Sequence, residues 1–523
     1  MCSSWTSRRA GSHAVSRKRC FTAVLAGLTL WVSPLPALCQ TQAAIQGGPQ
    51  TLEKPPKLPV RSMIDTLEER WQRACDQLAK RELISLDQAI RTGLLNNPIL
   101  SKTYADIEAA QWRAIAVRRE WYPSLSANNA TNPPWSLSTR SSTGNQTVGS
   151  KPSSYTSTEK FDTGPRLRLD WSFLDPTRTP RLKSDLSLVN AQQLLFDVSA
   201  RNLILDIQEA YYRLQEAREL REDYTRIYAL TRTQIAKAQR LRRAGSGTKG
   251  DIDQLRSQLL QQLTQLTQIY EQELIAANQL AYTLSLPPGQ LLLPSERLTP
   301  VPAWSSPLQP TIDEALALRE EIQANLANAN SFGWLSRSRL SLYLPALRLL
   351  AQSQMNTSSS SSLTTGSETS WSETNSAQLD NAVGLSLNWL MFDGGRVAAD
   401  ASQLSQQALA SRSQADVTRL LVTLQVQNSY ATFTSNQMVI DIAREQLVTS
   451  RATVEYTARY YDGSTIDATT YIQNIQNYLN AARSYKASVK DFNIAVAGLY
   501  RYSARWPANT QVELKERVQA AKK

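Results

Sequence analysis

Two stretches of the chain share one length and lack the residues that break helices. Between Arg178 and Gly245 there is no proline after Pro180 and no glycine, and between Arg396 and Gly463 there is neither. Each separation is 67 residues, and the second stretch is displaced from the first by 218. Each follows a short alternating run, Leu167 to Asp175 in one case and Leu385 to Asp393 in the other, and each ends in a Gly-Ser pair. An unbroken helix of that length is ~100 Å long, against ~11–12 residues for a mean globular helix. Equal spacing without an insertion makes helix length itself a constraint, so the helices span something.

The duplication overrides the several domains that 523 residues would suggest, because two similar halves make one architecture. Of the formal charge of +12, five units belong to Arg8, Arg9, Arg17, Lys18 and Arg19. The remaining +7 is spread along the chain with no basic run interleaved with aromatics, so no nucleic-acid partner is expected. The basic start, the apolar run from Cys20 to Leu38 and Ala37-Leu38-Cys39 read as a signal peptide over 1–39. A lipid anchor on Cys39 is the competing reading, opposed by the bulk of Leu38. Cleavage after Cys39 leaves Cys75 alone, without an intramolecular disulfide, and removes His13, the only histidine. Histidine-based triads and histidine metal sites are then excluded, and no catalytic residue, metal or cofactor is expected. No later apolar run reaches the ~20 residues of a spanning helix, so an exported chain is either soluble or inserted as strands.

In chain order, residues 40–84 read as a linker with three prolines from Pro55 to Pro59, then an amphipathic helix over 62–82 carrying Ile64, Leu67, Trp71 and Leu78. Residues 85–286 form the first repeat. Ser85 caps a helix that runs to Trp121 with a bend at Asn96-Asn97-Pro98. A strand from Ser124 leads to a Ser/Thr/Gly/Pro-rich loop over about 131–163. The return strand, Pro165 to Phe173, puts Leu167, Leu169, Trp171 and Phe173 on one face and Arg166, Arg168, Asp170 and Ser172 on the other. The long helix keeps an average seven-residue spacing from Leu182 to Ala217, which implies coiled-coil contact with neighbours. A helix from Asp251 to about Leu286 climbs back. Residues 287–310, with seven prolines, join the halves. Residues 311–503 repeat the plan: a helix to about Tyr343, a loop over about 354–381, a strand from Val383 to Phe392, the second long helix, and a final helix from Asp467. Residues 504–523 form a polar tail.

Each half thus reads helix, strand, strand, helix. Four strands cannot close a barrel in a membrane, where single-chain barrels start at about eight, and an open edge in lipid leaves backbone groups unpaired. Several chains must share one barrel: two would give eight strands and three twelve. Trp121, Tyr122, Trp171, Trp389 and Phe392 cluster where strands meet helices, either as an aromatic girdle at a membrane interface or as packing at the junction.

Leu86-Asp-Gln-Ala, Asn96-Asn97-Pro98, Pro123-Ser-Leu, the run from Leu387 to Gly395 and Asp467-Ala-Thr-Thr470 resemble the TolC family of outer-membrane efflux proteins, over roughly 85–503. The resemblance implies a mainly α fold with transmembrane β-strands: a homotrimer with a shared twelve-stranded β-barrel in the outer membrane, an α-helical barrel reaching into the periplasm, and an equatorial belt formed by 287–310 and the tail. It implies an exit duct of a tripartite efflux or type I secretion system. Its partners would be outer-membrane lipid, a periplasmic adaptor and an inner-membrane ABC or RND-type pump. It also implies a carboxylate ring at the periplasmic entrance. One of the family's two ring aspartates falls on Asp467. The other falls on Ser464, with Asp462 close enough to substitute, and Asp251 and Asp253 occupy the matching turn of the first repeat. Each such aspartate is equally a helix cap. Gly245, Ser246, Gly463 and Ser464 would be the turns an adaptor touches, or turn geometry alone. Arg166, Arg168, Asp170 and Arg348 would line the barrel. A periplasmic adaptor predicts one α-hairpin, not two, and a coiled-coil envelope protein does not explain the paired strands.

Overall fold

The computed structural model describes residues 81–506, apart from 130–134, 145–153, 246, 367 and 463–465, together with helical residues 66, 68–73 and 76. The signal peptide, Cys39, Cys75 and the tail beyond 506 lie outside the described residues, as do Ser246, Gly463, Ser464 and the side chain of Asp462. The elements in order are β1 (Glu82–Ile84), α1 (Leu86–Asn96), α2 (Pro98–Arg119), β2 (Ser124–Asn129), β3 (Trp135–Gly144), β4 (Ser154–Thr163), β5 (Pro165–Leu174), α3 (Arg178–Arg243) and α4 (Lys249–Thr283). There follow β6 (Leu292–Pro294), α5 (Leu308–Leu318), α6 (Glu320–Leu340), β7 (Ala346–Thr365), β8 (Thr369–Asn388), α7 (Arg396–Asp462) and α8 (Ala468–Tyr502).

Helix α3 has 66 residues and α7 has 67, so both long stretches are unbroken helices. Asp175 and Asp393, 218 residues apart, start them in related ways. Asp175 Oδ1 accepts from the Thr177 amide at 3.0 Å, and Asp393 accepts from the amides of Gly395 (3.0 Å) and Val397 (2.8 Å). The shorter helices stack in pairs along the long ones. Asn97 both ends α1 and caps α2, its Oδ1 accepting from the Ile99 amide, while its Nδ2 donates to the Thr283 carbonyl at the end of α4. Arg319 separates α5 from α6 and donates to the Tyr502 carbonyl at the end of α8. Helix α3 packs on α2, α4, α6 and α8, and α7 packs on α6 and α8. The layer order is therefore α2/α4, α3, α6/α8, α7.

One apolar core lies at mid-height around Leu100, Ile207, Tyr211, Leu280, Phe433, Phe492 and Leu499. A second lies toward the Gly245 end around Tyr224, Leu255, Leu266, Tyr471 and Ile475. A strap crosses the middle. β1 pairs in parallel with β6, Tyr211 donates to the Ile84 carbonyl, and Gln215 donates to that of Glu296. The Asn493 amide holds both Val301 N–H and Thr299 C=O. The proline-rich connection is thus pinned to α3 and α8. Residue 81 is a bend and 82–84 a strand, so the helix expected over 62–82 ends earlier, and its Glu68 pairs with Arg232 of α3.

The other six strands form one antiparallel sheet. β2 and β3 pair with β5 and β4, these pair with β7, and β7 pairs with β8. Most of the two expected Ser/Thr-rich loops is strand. β7 and β8 run in register from Ala346–Asn388 to Thr365–Thr369, with only 366–368 between them. Serine on both faces of β7 from 358 to 362 leaves no apolar alternation to read there, yet serine and threonine hydrogen-bond across the ladder, as Ser358 does with Ser376 (2.7 Å) and Thr156 with Thr364 (3.1 Å). At Gly164, between β4 and β5, a Cβ would stand 1.7 Å from the Met355 carbonyl oxygen, so only glycine fits.

Two further boundaries differ from expectation. The helix expected from Thr311 to Tyr343 is α5 and α6, broken at Arg319 with no proline after it. Helix α4 begins at Lys249, so Asp251 is its third residue and Thr248 its cap.

Candidate functional site

Register sorts the strand residues onto two faces. Leu125, Leu167, Leu169, Trp171, Leu347, Leu349, Val383, Leu385 and Leu387 share one, interrupted at the paired Ser353 and Asn381. Much of this apolar surface is bare, with Val383 78% and Leu385 72% exposed. Trp121, Tyr122, Trp389 and Phe392 are exposed beside its helical end, and Trp171 is 37% exposed. The two tryptophans of the repeats are held alike. Trp171 Nε1 donates to the Trp121 carbonyl and Trp389 Nε1 to that of Tyr343, each at 3.0 Å. Arg178 lies over the Trp121 ring at 5.9 Å.

At the other end of the band are Trp135, Leu137 and Phe161, which sequence reasoning placed in or beside a loop. Trp135 is level with Thr163, Thr357 and Ala377, and Leu137 faces Phe161. About ten residues of β8 lie between this level and Leu387, ~33 Å along a strand and ~25 Å in height at a tilt of ~40°. The apolar side chains spaced two apart among serines were the available signal.

The opposite face carries Arg166, Arg168, Asp170 and Arg348, and the structure brings the last three into contact. Asp170 accepts from Arg168 (3.2 Å) and pairs with Arg348 (3.4 Å), while Arg166 Nε donates to Gln354 (2.9 Å). Charge on one face and leucine on the other mean one wet and one apolar environment.

The turns of the two repeats meet at the far end of the long helices. Gln254 donates to Thr469 (3.1 Å), and Gln476 donates to Gln258 (3.2 Å), its repeat mate 218 residues away. This brings the turn carrying Asp251 and Asp253 beside the one carrying Asp467. Asp467 caps α8, accepting from the Thr470 amide at 3.3 Å. Hydrogen bonds from the Thr470 side chain and amide hold its carboxyl below the ordinary range. Asp251 completes a capping box with Thr248, and Asp253 lies 3.9 Å from Arg256. Gly245 has φ +86°, a left-handed conformation that suits glycine. Backbone ends α7 at Asp462.

A buried charge cluster at mid-height was missed. Arg201 of α3 gives two hydrogen bonds to Glu320 Oε1 (3.1 and 2.8 Å) and stacks on Trp506 at 4.0 Å. Glu321 accepts from Arg319 and Arg501. Burial pushes the Asp197 carboxyl up to about 6, with Glu320 adding and Arg201 opposing. Burial also raises Glu321, but Arg501 and Arg319 outweigh it and bring it to about 2. These residues lie far apart in sequence, so no local pattern marks them.

No family model and no curated protein matches the chain. Solved structures do. The outer-membrane channel OprN matches with a TM-score of 0.61 at 20% identity, over 80% of this chain and 90% of that one. The CmeC outer membrane channel of Campylobacter jejuni matches with a TM-score of 0.63 at 14% identity, over 83% and 89%. The open state of the MtrE outer membrane channel of Neisseria gonorrhoeae matches with 0.58 at 16% identity, over 80% and 89%. A duplicated four-helix layer joined to a sheet of six strands, four abreast, therefore defines the fold of outer-membrane channels. It is the TolC-like fold that the sequence resembles, and nearly the whole length of each of those channels is represented here.

Proposed function

We propose that the protein is an outer-membrane channel, the passive exit duct of a tripartite efflux or type I secretion system. The observation that carries this reading is the open sheet. Among the described residues, β2/β3 and β8 each have a strand neighbour on one side only, while one face carries an apolar band of membrane height. In lipid each unpaired backbone group costs several kcal/mol, so the edges must be paired by other copies, and three chains give a closed barrel of twelve strands. The helical layer is open in the same sense. Leu420, Leu424, Met438 and Ile442 are exposed on α7 at one edge, and Trp112 of α2 and Ile275 of α4 are exposed in the helices at the other. Helices of ~100 Å then form a periplasmic tube whose entrance carries Asp251, Asp253, Asp462 and Asp467. The turns at Gly245–Ser246 and Gly463–Ser464 would receive an adaptor linked to an inner-membrane pump. Arg166, Arg168, Asp170 and Arg348 would face the lumen.

The test is the protein mass in mild detergent, corrected for bound detergent, together with conductance in a planar bilayer. Three chains and a discrete conductance support the reading. A soluble monomer that gives no current would sink it.

A further inference from the structure

The end-to-end seam of α2 and α4 leaves a cleft of about 320 Å³ against α3. Its walls mix two kinds of group. Pro98, Ile99, Leu203 and the exposed ring of Tyr282 supply apolar surface, while Asp206 and Glu209 supply carboxylates. Arg213 pairs with Glu209 at 2.9 Å, and among the described residues no basic group pairs with Asp206. The cleft therefore holds one uncompensated negative charge beside an aromatic face. Burial and then Glu209 push the Asp206 carboxyl up, which fits a charge in want of a partner.

The duplication does not account for these acids. The positions of α7 related to Asp206 and Glu209 by the 218-residue repeat are Leu424 and Gln427. The corresponding region of the second repeat is packed with Ile322, Val422 and Val426 against Tyr502. Direction matters as well. Asp206, Glu209 and Arg213 follow one another at three- and four-residue steps on one face of α3. Tyr211, Gln215 and Arg218, which hold the strap, occupy the opposite face. If the strap belts the outside of a tube, the cleft opens to its lumen.

We propose that this cleft is a binding site for organic cations, one per chain: an ammonium at Asp206 and a flat apolar body against Tyr282. A carboxylate beside an aromatic ring in a pocket of this size is the chemistry that holds such a ligand. The assignment to the lumen rests on the channel reading above.

The experiment titrates benzyltrimethylammonium into the detergent-solubilised full chain by calorimetry, with benzenesulfonate as the anion of similar size, and records bilayer current in parallel. The expected result is saturable binding of one cation per chain and none of the anion. Asp206→Asn should weaken binding at least tenfold. Gln279→Trp, an exposed position on the cleft wall, should fill the space and abolish binding. Equal binding of cation and anion, or wild-type affinity in both variants, would overturn the site. Wild-type current without saturable cation binding would overturn it while leaving the channel reading intact. Binding without any current would support the site and count against the channel.

Discussion

The side-chain amide of Asn97 donates to the main-chain carbonyl of Thr283 across 3.0 Å, joining the first residue before α2 to the last of α4. Arg319 and Tyr502 make the related contact in the second repeat at 3.3 Å. A short helix can continue another only if the terminal groups at the junction find partners, and these two contacts supply them.

Asn97 does two jobs, and two substitutions separate them. Asn97→Asp keeps the acceptor for the Ile99 amide and loses the donor to Thr283. Asn97→Ala loses both. The alanine variant should be destabilised by about 2 kcal/mol and the aspartate variant by more, about 3, because its carboxylate would be buried against the Thr283 carbonyl oxygen. Urea midpoints read from the helical signal would check the order, and equal midpoints for the two variants would contradict it.

Gly164 and Gly384 both lie in the sheet, and they should respond differently to alanine. A Cβ at Gly164 meets the Met355 backbone at 1.7 Å, whereas one at Gly384 meets nothing within 4 Å. Gly164→Ala should cut the yield of membrane-inserted protein severalfold, because a rigid backbone atom must move. Gly384→Ala should insert like the wild type. Membrane fractionation at matched expression distinguishes the two.

Asp197 and Glu321 give stability opposite pH slopes. Asp197 is raised to about 6, so its folded form holds a proton more tightly than the unfolded chain does. Its contribution is fully present below pH ~4 and is lost as pH rises through 6. Glu321 is lowered to about 2, so its contribution is present above pH ~4 and is lost as pH falls through 2. Asp197→Asn should therefore raise the melting temperature at pH 8 by the equivalent of about 1 kcal/mol, reduced from the full shift by partial exposure, with the gain gone near pH 4. Melts at the two pH values measure the crossover. Glu321→Gln should cost several kcal/mol at pH 8, because Arg319 and Arg501 stay buried with their charge uncompensated.

Asp467→Asn isolates charge from capping. Asparagine caps a helix about as well as aspartate, so the melting temperature should hold. If the carboxylate faces a threefold entrance, its removal should lower the cation-to-anion permeability ratio severalfold. Reversal potentials across a salt gradient test this, and an unchanged ratio would reduce Asp467 to a cap. Replacing Arg166 and Arg168 together by glutamine should shift the same ratio toward cations.

Local signals suffice where the physics is local. The twin helix lengths follow from the absence of proline and glycine, and the Asn97 break follows from Asn-Pro. The faces of β5 and the helical end of β8 follow from alternation, because a pleated strand in two environments must alternate. What the sequence left undetermined is what distant residues impose. Nothing beside Arg319 signals a helix break. Ion pairs from Arg201, Arg501 and Glu321 surround it, and its bond to Tyr502 places it at the junction. The upper half of β7 carries serine on both faces, so only cross-strand pairing with β4 and β8 makes it a strand. Asp251 looked like the cap and is the third residue of the helix, the reciprocal partner in a capping box whose cap is Thr248. The cleft beside Asp206 exists only because two helices meet end to end against a third, a tertiary relation that residue spacing does not encode.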